Sequence, residues 1–444
     1  MTDLAIVESR ADRASVHICD HLREVGDWTE RTDNSRADAD GGATYYQTDG
    51  IELRTFEEFH LELEHPVDVF DCDPDLLVFA SRHAGDTDAL LTGHFTGNFG
   101  PAEFGGEDHA VAEACPNALA RLLEAFDEYA PEEYDVGMEC THHGPTDVGC
   151  PSLFAELGSG DEQWDDPAGA EAVARGILEL RDVAPHSTQQ VVGFGGNHYA
   201  PRFERIVRET PWAVGHIAAD WGLEELGHPS AHRDLLEAVF EASNTNIAVI
   251  DGDWPVLEET LTDLDYQLVS ETWLREVGNR PLEHVDQLED ALESVDEGLR
   301  FGEHHDDTVD VISIPGDLID TAEGIDHERV RDAVEARTIA FTTDNGGSRV
   351  GSQFAVPADD PLETKRALLE ALVAVLKEKY DTVRITDDAV IATETAFDPE
   401  RAAIAGIPEG PKFGALAAGE SITVDGETIT PERFQTEQTD RFDL

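Results

Sequence analysis

The stretch "LAIVESRADRASVHICDHLREV", Leu4 to Val25, opens with an apolar run that reads as a short buried strand. Beyond it Val16, Cys19 and Leu22 recur at helical spacing, so a strand passes directly into a helix and an α/β fold is expected. The pattern continues outward. "DLLVFASRHAG" is a second apolar run ending in His83, at the kind of strand end where α/β folds place their chemistry. Leu119, Leu122, Leu123 and Phe126 share one helical face, and Val173, Ile177 and Leu180 share another. "QQVVGF", "WAVGHIA" and "NIAVIDG" read as strands. Residues 1–275 are therefore expected to form one α/β domain with a largely parallel or mixed sheet. The acidic residues 276–307 read as a linker with weak helical periodicity. Residues 308–444 read as a second, smaller α/β or α+β domain, in which Leu368, Leu369, Leu372, Val375 and Leu376 share one helical face and Asp425-Gly426 makes a hairpin turn.

At 444 residues the chain exceeds the usual size of one hydrophobic core. Its 96 acidic against 30 basic residues give a formal charge of -66, spread through every region. Such uniform acidity suits a salt-rich cytoplasm, where the Debye length shrinks to about 3 Å and self-repulsion is screened. It weakens a simple nucleic-acid-binding reading, because no basic patch is present to release counterions from phosphates. That objection softens where salt is already concentrated. Five cysteines without a Cys-x-x-Cys pair exclude a disulfide framework or thiolate zinc finger. The N-terminus carries no secretory pattern, and no apolar run is long enough for a bilayer, so a cytoplasmic protein without membrane contact is expected.

The chemistry-bearing signal is a set of histidines at predicted strand ends and turns. "ECTHHGPT" places His142 and His143 before a Gly-Pro turn, and "GFGGNHYAPRF" places His198 where a glycine-rich turn leaves a strand. His83, His94, His216 and Glu156 fall in comparable positions. Catalytic zinc takes three protein ligands of these types and keeps one position for water. The spacing is not that of a zincin helix, and a histidine taken singly is more often a solvent-exposed or hydrogen-bonded residue than a ligand, the two readings balancing only for His142, His143 and His198 beside their glycines and prolines. "GFGGNH" is a fragment of a dinucleotide fingerprint, but "NHYAPR" opens no obvious helix; a structural turn with Asn197 left-handed is the alternative. Tyr199 could stack on a base or sit in the core. Arg202 could grip phosphate or one of many carboxylates. Asp161 and Glu162 could bind metal or cap a helix. Cys140 and Cys150 flank the histidine pair, as a Cys/His dyad or as inert buried thiols.

"SRH" at residues 81–83, "LLTGHFTGNFG" at 90–100, "ECTHHGPT" at 139–146, "PSLFAELGS" at 151–159, "GFGGNHYAPRF" at 193–203 and "VGHI" at 214–217 together resemble the archaeal-type D-aminoacyl-tRNA deacylases. The resemblance spans roughly residues 1–270, and the remainder looks like an extension found in haloarchaeal members. Cys140 stands where the pattern has alanine, and Asn197 where it has glycine. The resemblance implies a three-layer phosphorylase/hydrolase-like α/β domain and a zinc-dependent hydrolase, with one or two ions per subunit, that frees tRNA from D-amino acids. It implies His142, His143, Glu156 and His198 as catalytic residues, and His142, His143 and His198 as metal ligands with His83 and His94 in reserve. Gly195, Gly196, Tyr199 and Arg202 would meet the substrate's acceptor end. A monomer without protein partners is expected. A metal-dependent peptidyl-tRNA hydrolase or exopeptidase, and a non-catalytic tRNA-binding protein, are the competing readings.

Overall fold

The computed structural model describes residues 3–306, 308–407, 409–424 and 426–444. The chain divides into two compact units, Met1–Asn279 and Arg280–Leu444.

In the first unit the strand Leu4–Ser9 is wholly buried and lies at the centre of a mixed sheet. The order across that sheet is Thr29–Asp33, Ala43–Thr48, Ile51–Phe56, Leu4–Ser9, Leu76–Arg82, Ser152–Gly158, Leu90–His94 and Asp135–Met138. The middle strands run parallel, while Leu90–His94 runs antiparallel to Ser152–Gly158. The helix Arg13–Val25 follows Leu4–Ser9 as expected, capped by the Asp12 carboxylate accepting from Ala14 and Ser15 N–H. Its buried stripe runs through Ser15, Ile18, Cys19 and Leu22, leaving Val16 at the edge. The helix Pro167–Leu178 packs between Arg13–Val25 and Pro116–Tyr129, touching both. Ala5, Val7, Leu77, Phe79 and Phe154 form a separate cluster with Phe56, Leu63, Phe70 and Val148.

One expectation changes here. The strands Gln190–Gly195, Ala213–Ala218 and Ile247–Asp251 do not extend the first sheet but form a second, all-parallel one with Gln267–Leu268 at its edge. The two meet just beyond Asp135–Met138, where Cys140 N–H donates to His198 O at 2.8 Å and Thr141 N–H donates to Ile217 O at 2.9 Å. Sequence periodicity identifies strands but not which sheet they join.

A second difference follows His198: the helix Pro201–Glu209 starts within "NHYAPRF", where no helix was expected. Only Phe203 and Ile206 are buried along it, too sparse an apolar stripe to be seen in the sequence, although proline at its first position is favourable. The left-handed residues of this turn are Gly195, Gly196 and Ala200, not Asn197.

The second unit is α+β. Its four-stranded antiparallel sheet, Arg300–Phe301, Ala340–Asp344, Arg349–Pro357 and Val309–Ser313, shares a core with Leu318, Val330, Leu372, Leu376, Val390 and Phe442. The helix Pro361–Leu376 buries the five apolar side chains expected of it. Residues 276–307 are not a free linker: the helix Leu282–Ala291 buries Val285 and Leu288, and Arg300–Phe301 pairs with Ala340–Asp344. The short strands Ile422–Val424 and Glu427–Ile429 pair antiparallel, while Asp425 of the expected turn lies outside the described residues. No helix among the described residues is long and apolar enough to cross a membrane.

Candidate metal centre

Several strands that reach the junction of the two sheets deliver a ligand-type side chain there. Glu156 lies in Ser152–Gly158, opposite Ser81 on one neighbouring strand and Thr92 on the other. His94 ends Leu90–His94. His83 follows Leu76–Arg82, its N–H donating to Leu157 O and its carbonyl accepting from the Trp164 indole at 3.0 Å. Glu139 follows Asp135–Met138, with its N–H on Gly93 O. The chain then crosses to the second sheet and turns back through His142 and His143. That reversal needs Gly144, since a Cβ there would lie 2.4 Å from the backbone of Gly105 and Gly106. His198 arrives from the second sheet on the Gly195-Gly196 turn, where a Cβ on Gly195 would lie 1.9 Å from Asp251 O.

The rings converge. Centroids of His94 and His142 are 4.2 Å apart, His142 and His143 4.4 Å, and His142 and His198 4.7 Å. Two buried carboxylates lie among them. Glu139 meets His198 Nε2 at 2.7 Å and His83 Nδ1 at 3.2 Å, while Glu156 meets His94 Nε2 at 3.5 Å and His83 Nδ1 at 3.6 Å. The exposure of Glu139 is 2% and that of Glu156 4%. Three sets of donors lie within 4.8 Å of one another: His94, His142 and His143; Cys140, His142 and His198; and His83, Glu139 and Glu156.

The protonation states follow from this crowding. Burial pushes His142 down to about 3 and His143 well below the usual imidazole range, so both are neutral and able to donate a lone pair. Burial also pushes against charge on His83, but Glu139 and Glu156 outweigh it and hold the imidazole at about 10. His94 is raised in the same way, burial being overcome by Glu156. Burial opposes ionisation of the carboxylates too; His198 and His83 outweigh it for Glu139, and His83 and His94 bring Glu156 down to about 2.

These residues fit a divalent cation. His94 Nε2 and Glu139 Oε1 are buried without a hydrogen bond, and the carboxylates are neutralised by protons on imidazoles that a cation would replace.

Other expected residues fare differently. Tyr199 is at the site, its hydroxyl 3.4 Å from His83 Nε2. Gly195 and Gly196 shape the turn that carries His198, Gly196 N–H donating to Asp220 at 2.9 Å. Arg202 is turned inward, donating to Ile250 O at 2.9 Å and Asp251 at 3.3 Å. His216 is no ligand: Thr141 Oγ1 and Ala112 O engage both ring nitrogens, and burial lowers it to about 4. Asp161 pairs with Arg13, and Cys150 packs in the apolar cluster under the sheet. Cys140 does come within 3.5 Å of His198 Nδ1, but burial raises its thiol to about 12, so it is protonated and no nucleophile. The residue missed is Glu139, central to the cluster. Its signal was its position: the first residue beyond a strand and three before His142.

Fold and site together define a mixed α/β protein with a buried cluster of histidines and carboxylates whose donor atoms lie close enough to share a metal ion. The chain belongs to the D-aminoacyl-tRNA deacylase family, whose profile matches residues 70–269. It is 51% identical to the D-aminoacyl-tRNA deacylase of Halorubrum lacusprofundi, over 99% of this chain and 97% of that one, and 52% identical to that of Natronomonas pharaonis, over 99% and 100%. The Methanoculleus marisnigri deacylase is 30% identical over 99% of this chain and 98% of its own, so the C-terminal unit is not confined to haloarchaeal members. A crystal structure of AF0625, a conserved protein of unknown function, matches 62% of this chain and 97% of that chain at 26% identity, with a TM-score of 0.56.

Proposed function

We propose that the histidine–carboxylate cluster is the catalytic centre for D-aminoacyl-tRNA deacylation and works with bound zinc. The chain hydrolyses the ester joining a D-amino acid to the 3′ end of tRNA, the activity that goes with its family and with full-length relatives at about half identity. The observation that carries the catalytic assignment is the pair of buried carboxylates, Glu139 and Glu156, whose ionic partners are all imidazoles. His94, His142 and His143 would hold one ion, and His83, Glu139 and Glu156 offer a second set. Imidazole nitrogens and carboxylate oxygens suit zinc. When bound, zinc polarises a carbonyl and brings the pKa of water to about 7, which ester hydrolysis at neutral pH needs.

The chain's own groups do the rest. Glu139 fixes His198 through the 2.7 Å bond to Nε2, leaving Nδ1, whose neighbour is the weakly bonding Cys140 thiol at 3.5 Å, to carry a proton to the departing 3′ oxygen at 34% side-chain exposure. Tyr199, beside His83, bounds the side of the site where the acceptor end enters. The charge of -66 repels tRNA in dilute buffer, and concentrated salt in the cytoplasm screens that repulsion.

Hydrolysis of D- and L-tyrosyl-tRNA in molar potassium chloride, with and without chelator, tests the proposal. Cleavage of the D ester alone, abolished by chelation and restored by zinc, is expected. Equal cleavage of both esters, or cleavage only of peptidyl-tRNA, contradicts it.

A further inference from the structure

Two cavities of unequal size lie near the cluster, one with His142 and His143 in its wall and one reaching it only through Tyr199, the neighbour of His83. One, of about 410 Å³, is bounded by Tyr199, Met138 and Leu90 together with the carboxyl groups of Asp88, Asp135 and Glu204. The other, of about 190 Å³, is lined by Phe99, Phe104, Trp221 and Glu225 and has His142 and His143 in its wall. The smaller cavity falls below the roughly 300–1,000 Å³ of whole small-molecule sites, so it takes a fragment and not a nucleoside. Its wall is aromatic. Phe99 is buried, whereas Phe104 is 67% exposed and Trp221 39% exposed, two large apolar rings held at its mouth. Trp221 shares that wall with His142 and His143, so an occupant of the cavity meets the ring beside the imidazoles. At the rim Gly100 abuts Glu225; a Cβ on Gly100 would lie 2.7 Å from Glu225 Cβ, so glycine there keeps the opening clear.

We propose that this smaller cavity, between residues 97–104 and the helix Asp220–Leu226, is the subsite for the amino-acid side chain and makes the enzyme favour aromatic and large apolar D-amino acids. This rests on the deacylase reading of the adjoining histidines. An ester carbonyl beside His142 and His143 sends its acyl side chain into the aromatic cavity, and the larger cavity beside Tyr199 is left for the bulkier terminal adenosine. Rings on Phe104 and Trp221 meet an aromatic side chain edge to face, a geometry a methyl group cannot exploit.

The test is kcat/KM for D-tyrosyl- and D-alanyl-tRNA in molar potassium chloride for the parent, Phe104→Ala and Trp221→Ala. In parallel, calorimetry follows binding of the non-hydrolysable 3′-amide analogues D-tyrosylamino- and D-alanylamino-deoxyadenosine. Each substitution is expected to cost about tenfold or more on the tyrosyl ester, the scale of lost apolar contacts in a pocket, and far less on the alanyl ester. The parent's binding preference for the tyrosyl analogue should collapse in both variants. Phe104→Ala removes an exposed ring, so it reports on the subsite even if Trp221→Ala melts early. Equal losses on both esters, or no preference between the analogues in the parent, overturn the subsite. A parent that cleaves neither ester yet binds the tyrosyl analogue selectively through these rings leaves the subsite standing and overturns the deacylase reading.

Discussion

Two regions of the first unit bury carboxylates to the same degree and resolve the cost in opposite ways. At Ile51–Phe56, Glu52 is 1% exposed and is held by the Arg54 guanidinium, itself 0% exposed, with Nε on Glu52 at 2.5 Å, Nη1 on Asp33 at 3.0 Å and Nη2 near Asp71 at 3.3 Å. The Tyr45 ring lies 4.1 Å from that guanidinium. At the sheet junction Glu139 and Glu156 face only imidazoles. Arginine never gives up its charge, so the first arrangement is permanent and chemically idle. Histidine does give it up, so the second can trade protons for a metal ion and pass a proton to substrate. Burial of charge is thus not itself a mark of function. The titratability of the compensating partner is.

The comparison is broken most sharply by removing one partner from each region. Glu139→Gln should lower kcat on D-tyrosyl-tRNA by about 10²–10⁴-fold, the range of lost acid–base assistance, with little fall in melting temperature. Arg54→Ala should do the reverse, costing about 3–5 kcal/mol of stability because Glu52 is left buried and unpaired, while kcat per folded molecule holds. Urea melts and active-fraction-corrected rates separate the two; matching profiles would erase the distinction.

A pH series on chelated protein sharpens it. His83 is held at about 10 against an ordinary 6.5, so its stabilisation is complete below 6.5 and lost as pH rises through about 10. His142 is depressed to about 3, so its contribution is present above 6.5 and lost as pH falls toward 3. The melting temperature of the chelated protein should therefore decline on both sides of about 6.5, and zinc should flatten the alkaline limb by replacing the proton on His83. An alkaline limb unchanged by zinc would show that the ion binds elsewhere. The smallest effect is expected from Cys140→Ala, about 1 kcal/mol of stability or less for so small a buried group, with near-parental activity since the thiol is not ionised.

Much of this was legible in the sequence. The strand-helix opening and the apolar runs ending in His83 and His198 announced the α/β character, and histidines flanked by glycine and proline marked the site because those residues tighten the backbone around them. Glu139 was masked by composition: among 96 acidic residues its one signal, a place at a strand end three residues before His142, does not stand out until burial distinguishes it. Arg202 was conspicuous through scarcity, and of its two readings the ordinary salt bridge is the one present, to Asp251 at 3.3 Å and Glu271 at 3.6 Å, partners that only the fold brings near. How the two sheets meet depends on pairings between Cys140 and His198 and between Thr141 and Ile217, contacts between segments far apart in the chain that no local pattern encodes.

The central claim is that the buried histidines and carboxylates at the sheet junction hold a metal ion in place of protons. Calorimetric titration of zinc into the chelated protein at pH 8, repeated in buffers of different ionisation enthalpy, measures it directly. Tight binding with net proton release, lost in His143→Ala and kept in His216→Asn, is the predicted result. No binding, or binding that releases no protons and survives His143→Ala, would contradict it.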